Sequence, residues 1–481
     1  MPYRDMRDYL ATAEQGGLVR RIHREIDHNW EVACLAKWMY QALPIDQRFG
    51  LYFQNIKGSK IPVITGALGA CPESLAVALQ CDVDQINDKV ISALRSPVKP
   101  RIVNTAACHE IALTGQQASL DILPIVTWTP VKDKAPYLTT IVVTRNHDTG
   151  VSNMGVYRTM VRDNRSVVVN LSPNRQGTRN VRSWTEKGKK APIAWVIATE
   201  PAVHLATVAN LPYGRDELDL AGGLKGEPID LVCCKTIDLL VPANAEIIVE
   251  AEIAPGDLDD EGPFGEFAGY MGVVDKRPVA HITAITHRRD PIFYGYTSQM
   301  PPSESTTIQS LINAGVMLQT LRDNIGEQSV HDIWIDLTFG GLLAHCVVAM
   351  TPQFPGHGKR VGRTIADISL FKRVTVVDVD VDIRDHSHVE WAMNSRFNPQ
   401  RDTVIIDDVY VPLQIDPSVR DAHGVVSQGS KIILDATQKI DSGLFSLPPK
   451  DMMMSALNVW KECGLPDFRI PKRAKLRLDK S

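Results

Sequence analysis

The sequence predicts a mixed α/β protein of several domains, and three observations lead to this prediction. The chain has 481 residues, which is too long for one hydrophobic core and corresponds to about three domains. Short segments with a hydrophobic period of two dominate its middle, whereas strand and helix patterns alternate after them. The composition, 44% hydrophobic and 22% charged residues, is that of an ordinary globular protein.

The first predicted domain, an α/β domain, covers residues 1–105 and mixes helical with short strand patterns. Its clearest element is a helix over residues 30–43, where apolar residues recur at helical spacing. Residues 106–302 are predicted to form a split antiparallel β-barrel. The segments TTIVVT, RSVVVNL and EIIVEAEI read as its strands, because turns rich in Gly, Asp and Asn separate them.

A connecting helix is predicted over residues 303–322, where TTIQSLINAGVMLQTL has a helical pattern. Residues 323–440 alternate strands with helices and are predicted to form an α/β domain with a mostly parallel sheet. Its run DVDVD, residues 378–382, is predicted to place its acids on one solvated face of a strand. The tail, residues 441–481, contains one short helix and a basic end, and is either solvated or an oligomer contact.

Charge and motif content exclude several function classes. A formal net charge of −4 gives no electrostatic reason to expect binding to nucleic acid or to an anionic membrane. No signal peptide or transmembrane run appears, and the eight cysteines show no CxxC spacing, so we expect a cytoplasmic protein with reduced thiols. The absence of GxGxxG after a strand, GxxxxGK[ST], GxSxG and HExxH argues against dinucleotide, P-loop, hydrolase-elbow and zincin chemistry.

The stretch EGPFGEFAGYMG places Glu261 and Glu266 five residues apart. Neither a strand nor a helix would point both carboxylates to one side at that spacing, so only a bent backbone can bring them together. Gly262, Pro263 and Gly265 allow such a bend. The alternative is a solvated turn with two exposed acids, although the aromatic residues within the stretch argue for packing.

Three further stretches combine polar and apolar residues in the same region: SNMGVYR, LSPNRQGTRN and GRDELDLAGGLKGEP. Together with EGPFGEF they resemble the UbiD-type (de)carboxylases, which use prenylated FMN. The specific marks are N-x4-R in SNMGVYR, E-x3-A-G-x-L-K-G in ELDLAGGLKG, E-x4-E in EGPFGE, the PPSE element and the run FNPQRDTVII. The resemblance covers nearly the whole chain.

The resemblance implies a catalytic set and a metal site. Arg158, Glu261 and Glu266 match the Glu-Arg-Glu catalytic set of the family. Asn153 and Glu217 match two ligands of the divalent ion, Mn²⁺ or Mg²⁺, that holds the cofactor phosphate.

The third family ligand, commonly histidine, matches Asn174, with Gln176 as a rival and with His204 as a histidine that could take its place from elsewhere in the chain. Arg175 and Lys359 are further implied cofactor contacts, and a K⁺ site is implied without an assigned side chain.

The implied reaction is the reversible, non-oxidative decarboxylation of an aromatic, heteroaromatic or α,β-unsaturated carboxylic acid through a covalent adduct with prenylated FMN. Glu266 is the expected proton donor, since burial near a second carboxylate would raise its pKa, and Arg158 would keep Glu261 ionised. The expected partners are a small carboxylic acid as substrate, a UbiX-type flavin prenyltransferase that supplies the cofactor, and further copies of the chain in a dimer or hexamer. Neither nucleic acid nor membrane is expected as a partner.

Two other functions compete with this interpretation. A Mg²⁺-dependent hydrolase could use the acidic runs DELD and DVDVD. The second alternative is a homologue that has the same fold and binds flavin but has lost catalytic activity. Bound-flavin absorbance measured together with CO2 release separates these three possibilities.

Overall fold

The computed structural model describes residues 1–172, 175–338, 345–409, 418, 428–440, 445–468, 470 and 477–478. The chain forms two compact units, the first made mainly of residues 1–316 and the second mainly of residues from 317 onward. The finer domain boundaries at residues 105, 302, 322 and 440 stay predictions.

The described helices are α1 Met6–Gln15, α2 Glu31–Ala42, α3 Pro72–Leu79, α4 Ile86–Arg95, α5 Gln176–Thr185, α6 Pro201–Ala206, α7 Glu217–Lys225, α8 Glu304–Gln319, α9 His357–Ile368, α10 His386–Arg396, α11 Pro399–Asp402 and α12 Lys450–Glu462. The strands of the first unit are β1 Val19–Ile26, β2 Gly50–Ile56, β3 Val63–Thr65, β4 Arg101–Ile102, β5 Ile111–Thr114, β6 Tyr137–Leu138, β7 Ile141–Arg145, β8 Ser152–Val156, β9 Thr159–Asp163, β10 Ser166–Val169, β11 Ala191–Ile197, β12 Asp230–Cys233, β13 Leu240–Pro242, β14 Ile247–Glu261, β15 Asp275–His287 and β16 Phe293–Tyr294. The strands of the second unit are β17 Val330–Ile335, β18 His345–Met350, β19 Arg373–Asp378, β20 Thr403–Val409 and β21 Gly429–Ala436.

The first unit contains three sheets, and the largest has nine strands in the order β6-β9-β10-β15-β14-β11-β7-β8, with β5 paired to β15. All its pairs are antiparallel, as the period-two pattern predicts. In the described part of the chain the sheet does not close into a barrel, since its end strands β6 and β8 pair only with β9 and β7. Every residue of β11, which pairs with β14 on one side and with β7 on the other, is buried.

Helix α2 confirms the predicted helix in the N-terminal region. Its buried residues Val32, Ala33, Ala36, Met39 and Tyr40 recur at helical spacing and pack against the central core. The opposite face of α2 leaves Trp38 70% exposed. The helix therefore presents one face to the core and a second face to a cavity that is described below.

Helix α8 begins at Glu304, whose side chain is completely buried. This carboxylate accepts hydrogen bonds from the main-chain N–H groups of Gly66 at 2.8 Å and Leu68 at 3.2 Å, and from the hydroxyl of Tyr294. Burial raises the pKa of Glu304 to about 7, although these donors act in the opposite direction. The PPSE element thus fixes the start of α8 to the loop that follows β3.

Among its described residues, the second unit contains one five-stranded sheet in the order β17-β18-β19-β21-β20. Its central strands β18, β19 and β21 are parallel, and the edge strands β17 and β20 pair antiparallel to their neighbours. Helix α9 connects β18 to β19, as expected for a parallel crossover.

The prediction of solvated acids in the DVDVD run is wrong. Strand β19 ends at Asp378, and Asp380 is only 7% exposed. Arg396 of α10 pairs with Asp378 at 2.6 Å and with Asp380 at 2.7 Å. A guanidinium from a distant helix supplies the counter-charge that burial of these acids requires.

None of the described helices combines the length and the apolar character needed to cross a membrane.

Candidate active site

The loop after β14 brings two carboxylates to the same place. Glu261 is the last residue of β14, and Gly262 follows it with φ +101°. A side chain at Gly262 would be strained, since its Cβ would also lie 2.8 Å from the carbonyl oxygen of Val273. The chain then turns tightly, and the N–H of Glu266 donates to the carbonyl of Tyr270 at 2.8 Å. This turn folds Glu266 back toward Glu261.

Arg158, between β8 and β9, contacts both carboxylates. Its Nε and Nη2 atoms donate to the two oxygens of Glu261 at 2.9 Å each, and Nη1 donates to Glu266. The side chain of Glu261 is 1% exposed, whereas that of Glu266 is 22% exposed. The interpretation of this loop as a solvated turn with two exposed acids is therefore wrong.

Charge and aromatic packing both stabilise the guanidinium in this position. Burial alone would lower the pKa of Arg158, but the charges of Glu266 and Glu261 outweigh burial and raise the pKa well above its ordinary value. The Cζ atom of Arg158 lies 5.2 Å from the ring centroid of Phe264, close enough for a cation–π contact. Arg158 is thus a permanent cation between two acids.

Tyr137 also belongs to this site, although no sequence motif predicts it. Its ring centroid lies 4.3 Å from that of Phe264, and burial together with the charge of Glu261 raises the pKa of its phenol. The phenol therefore stays protonated beside the carboxylate of Glu261.

Glu266 also lines a cavity of about 670 Å³. Much of the cavity wall is aromatic or thioether, formed by Trp38, Trp128, Tyr270, Met271 and Met300. Such a wall suits a flat, apolar molecule that meets the carboxylate of Glu266 at one point.

A second polar cluster lies where β8 meets the first turns of α5 and α7. The Nδ2 atom of Asn153 donates to Gln176 Oε1 and to Glu217 Oε1, each at 3.0 Å. The second oxygen of Glu217 accepts from the N–H of Met154 at 3.0 Å. The buried Nε2 atom of Gln176 has no hydrogen-bond partner in the described part of the chain.

This cluster suits a hard divalent cation. Its amide and carboxylate oxygens are the donors that Mg²⁺ and Mn²⁺ prefer. Burial raises the pKa of Glu217 to about 7, so that a cation beside it would favour the carboxylate form. The described residues contain no group of three His, Cys, Asp or Glu side chains that could hold a metal, so a site here depends on amide ligands. The amide oxygen of Gln176, which lies 3.0 Å from Asn153 Nδ2, could supply one of them.

Comparison with known proteins identifies the family. Models of the N-terminal, Rift-related and C-terminal domains of 3-octaprenyl-4-hydroxybenzoate carboxy-lyase match residues 10–94, 101–301 and 306–436. The chain belongs to the UbiD family. This membership makes it a carboxy-lyase.

Solved UbiD-class structures share the fold over most of their length. The enzyme HmfF from Pelotomaculum thermopropionicum, in complex with FMN, is 32% identical, with 94% of this chain and 99% of that chain covered at a TM-score of 0.83. An evolved dimeric form of HmfF in complex with prFMN is 31% identical, with coverages of 93% and 98% and a TM-score of 0.81. The vanillic acid decarboxylase of Sedimentibacter hydroxybenzoicus, in its open form, is 25% identical, with coverages of 96% and 100% and a TM-score of 0.82.

The structure brings some of the residues matched to UbiD motifs together and leaves others apart. Arg158, Glu261 and Glu266 form one contact group, and Asn153 and Glu217 form another. The remaining three predicted contacts are Asn174, Arg175 and Lys359.

Asn174 lies outside the described residues. Arg175 is exposed at the N-cap of α5. Lys359 lies on α9 in the second unit, where its ammonium donates to the carbonyl of Arg401. Contacts of these three residues with a cofactor stay predictions.

The ring nitrogens of His204 are not available to bind a metal ion. It is completely buried, its Nε2 atom accepts the N–H of Thr199 at 3.0 Å, and its Nδ1 atom pairs with the hydroxyl of Tyr296. Burial lowers the pKa of His204 to about 3. Both ring nitrogens of this neutral imidazole are therefore already engaged.

Tyr157 is a further residue of the UbiD-family motif SNMGVYR that sequence reasoning missed. Its hydroxyl donates to Asn153 Oδ1 at 2.9 Å and accepts the N–H of Gly177 at 3.2 Å. A Cβ atom at Gly155 or at Gly177 would approach the tyrosine ring to 2.9 or 3.0 Å, so the two glycines make room for it. Tyr157 therefore fixes the orientation of the Asn153 amide.

Proposed function

We propose that this enzyme catalyses the reversible, non-oxidative decarboxylation of an aromatic, heteroaromatic or α,β-unsaturated carboxylic acid with prenylated FMN as cofactor. The observation that carries the proposal is the position of Glu266, which contacts Arg158 and also lines the apolar cavity. The flavin complexes of the related HmfF structures and the activity of the related vanillic acid decarboxylase support it.

Loss of CO2 from an sp² carbon leaves an electron pair that no amino-acid side chain can accept. Prenylated FMN, when bound, supplies the electron sink that this step requires. The protein must then bind the substrate carboxylate beside the flavin, exclude water and deliver one proton. The aromatic wall of the cavity would exclude water.

Glu266 is the proposed proton donor to the carbon that loses CO2. Glu261 takes two hydrogen bonds from Arg158, and its side chain is almost fully buried, so it is held in a fixed position. Glu266 makes one contact with the same guanidinium and retains access to the cavity. The unequal contacts with Arg158 separate the roles of the two acids, with Glu261 as the fixed anion and Glu266 as the group that exchanges a proton.

Asn153 and Glu217 are the proposed ligands of an Mn²⁺ or Mg²⁺ ion that offsets the charge of the cofactor phosphate. Gln176 is our choice for the third ligand, because its amide oxygen Oε1 already lies beside Asn153 in this cluster; Asn174 is the alternative. Arg175 and Lys359 are proposed phosphate contacts. A K⁺ ion is proposed without an assigned site.

We further propose that the enzyme is a homo-oligomer, dimer or hexamer, and that a UbiX-type flavin prenyltransferase supplies its cofactor. Protein produced in a host without that transferase should fold and remain inactive. Coexpression with the transferase should restore CO2 release from a carboxylic acid. Full activity of protein that has been freed of flavin would overturn the proposed function.

A further inference from the structure

The loop that carries Glu266 packs against a second loop of the first unit, residues 128–133. Gly265 and Glu266 of the first loop and Thr129 of the second line the same cavity. A Cβ atom at Gly265 would lie 2.8 Å from Thr129 Oγ1, so the hydroxyl of Thr129 packs directly on the residue that precedes the proposed proton donor. The position of Glu266 therefore depends on how the loop 128–133 is fixed.

Asp133 fixes this loop from within. Its Oδ2 atom accepts the N–H of Thr129 at 2.6 Å, and its own N–H donates to the carbonyl of Thr129 at 2.9 Å. Asp133 is only 8% exposed, so water competes little for these hydrogen bonds. The two contacts close a turn that runs from Thr129 to Asp133.

The tip of this turn is strained. Val131 has φ +72°, in the left-handed region that β-branched residues avoid. Its side chain is fully exposed, so packing of this side chain does not hold the turn. A strained backbone persists only where surrounding contacts fix it. The hydrogen bonds between Asp133 and Thr129 provide such contacts.

The carboxylate of Asp133 also faces the loop that carries Glu266. Burial raises the pKa of Asp133 to about 6, whereas hydrogen bonds from the main chain of Thr129, Trp128 and Gly265 act against burial. The N–H of Gly265 belongs to the residue next to Glu266. One carboxylate thus accepts hydrogen bonds from both loops. An amide of the same shape would replace one of its acceptor oxygens by a donor.

We propose that Asp133 is a positioning residue for the reaction: its carboxylate ties the loop 128–133 to the N–H of Gly265 and so holds Glu266 where the proton is delivered. This inference rests on the proposed function. Asp133 acts through Glu266 and transfers no proton itself. Its loss should therefore lower kcat and leave KM for the substrate nearly unchanged.

Two variants and a matched control test this role. Asp133→Asn keeps the shape and can still accept the N–H of Thr129, but its amide nitrogen cannot accept the N–H of Gly265. Asp133→Ala removes both contacts. The control is Asp163→Asn, since Asp163 also stabilises a turn, by accepting the N–H of Arg165 at 2.8 Å, but is exposed at the end of β9.

The experiment measures kcat and KM of cofactor-loaded enzyme with an acid that the wild type decarboxylates. Asp133→Asn should lower kcat by about 10-fold and Asp133→Ala by about 30-fold, with KM within about 3-fold of the wild type. In the Glu266→Gln background, Asp133→Asn should change the remaining kcat by less than about 2-fold. Asp163→Asn should match the wild type. Unchanged kcat per bound flavin in both Asp133 variants, or an equal loss with and without Glu266, would overturn the inference.

Hydrogen exchange separates this inference from the proposed function, because it needs no turnover. The amides of residues 262–272 should exchange faster in Asp133→Asn than in the wild type or in Asp163→Asn. If they do, but the wild type decarboxylates no acid, the tie between the two loops stands and the proposed function fails. If the wild type decarboxylates an acid while neither exchange nor kcat responds to Asp133→Asn, the proposed function stands and the inference fails.

Discussion

Arg158 donates two hydrogen bonds of 2.9 Å to the carboxylate of Glu261, which is 1% exposed. A planar guanidinium matches a carboxylate in this two-point geometry, and an ammonium does not. The same guanidinium contacts Glu266 through its remaining terminal nitrogen. One side chain therefore sets the relative position of both acids.

The first prediction concerns this arginine. Arg158→Lys keeps the charge but cannot form the two-point hydrogen bond, so Glu261 and Glu266 should no longer be held together. We therefore expect kcat to fall by about 10²-fold or more. Arg162→Lys is the control, because its pair with Asp259 at 2.8 Å is largely exposed. CO2 release would be measured at equal flavin content. An Arg158→Lys enzyme with wild-type kcat would show that the two-point hydrogen bond to Glu261 is dispensable.

A second prediction uses the close packing around Glu266. A Cβ atom at Gly272 would lie 2.9 Å from Glu266 Oε1, so Gly272→Ala should displace this flexible carboxylate without blocking folding. We expect kcat to fall by about 10-fold, with a melting temperature within a few degrees of the wild type. Gly16→Ala, where the new atom finds ordinary contacts of 3.5 Å or more, should change neither quantity. Unchanged kcat in Gly272→Ala would mean that Glu266 tolerates displacement.

The third prediction concerns the metal ligands. Glu217→Gln removes the carboxylate of the cluster, so Mn²⁺ or Mg²⁺ content and flavin retention should fall together. Gln176→Ala should lower both to a smaller extent, because a neutral ligand is lost. The exposed Glu227 provides the control variant Glu227→Gln. Elemental analysis and flavin absorbance give the result, and a larger loss in Asn174→Ala than in Gln176→Ala would make Asn174 the third ligand.

Much of this site could be predicted from the sequence, because Arg158, Glu261 and Glu266 occur in recognisable motifs. Their contacts could not be predicted from spacing, since Arg158 and Glu261 are 103 residues apart. Tyr137 and Trp38 have no local signal at all, because they reach the site only through the packing of β6 and α2. The arrangement of the nine-stranded sheet depends on long-range pairing in the same way.

A fourth prediction concerns stability and pH. The pKa of Glu304 is about 7 in the folded chain, whereas the ordinary value is 4.5. The folded state therefore binds a proton more tightly than the unfolded state does. The resulting stabilisation of the fold is complete below about pH 4.5 and is lost as the pH rises through 7. The free energy of unfolding of the wild type, relative to Glu304→Gln, should therefore decrease between about pH 5 and pH 8. Chemical denaturation of both proteins at these two pH values would show whether the stability difference decreases.

Glu73 serves as the control for Glu304, since it is exposed at the start of α3 in the same unit. The difference between the wild type and Glu73→Gln should not change over this pH range. A relative stability of the wild type that instead rises with pH would mean that the N–H groups of Gly66 and Leu68 hold Glu304 ionised.

The central claim is that Glu266 delivers the proton to the carbon that loses CO2. The most direct measurement is deuterium incorporation and CO2 release in D2O by flavin-loaded wild type, Glu266→Gln and Glu261→Gln, with an acid that the wild type decarboxylates. The account predicts deuterium at the former carboxylate position in the wild type. It also predicts that Glu266→Gln retains flavin and loses both exchange and turnover by about 10²- to 10⁴-fold. Wild-type exchange in Glu266→Gln, with loss in Glu261→Gln only, would contradict it and assign the proton to Glu261.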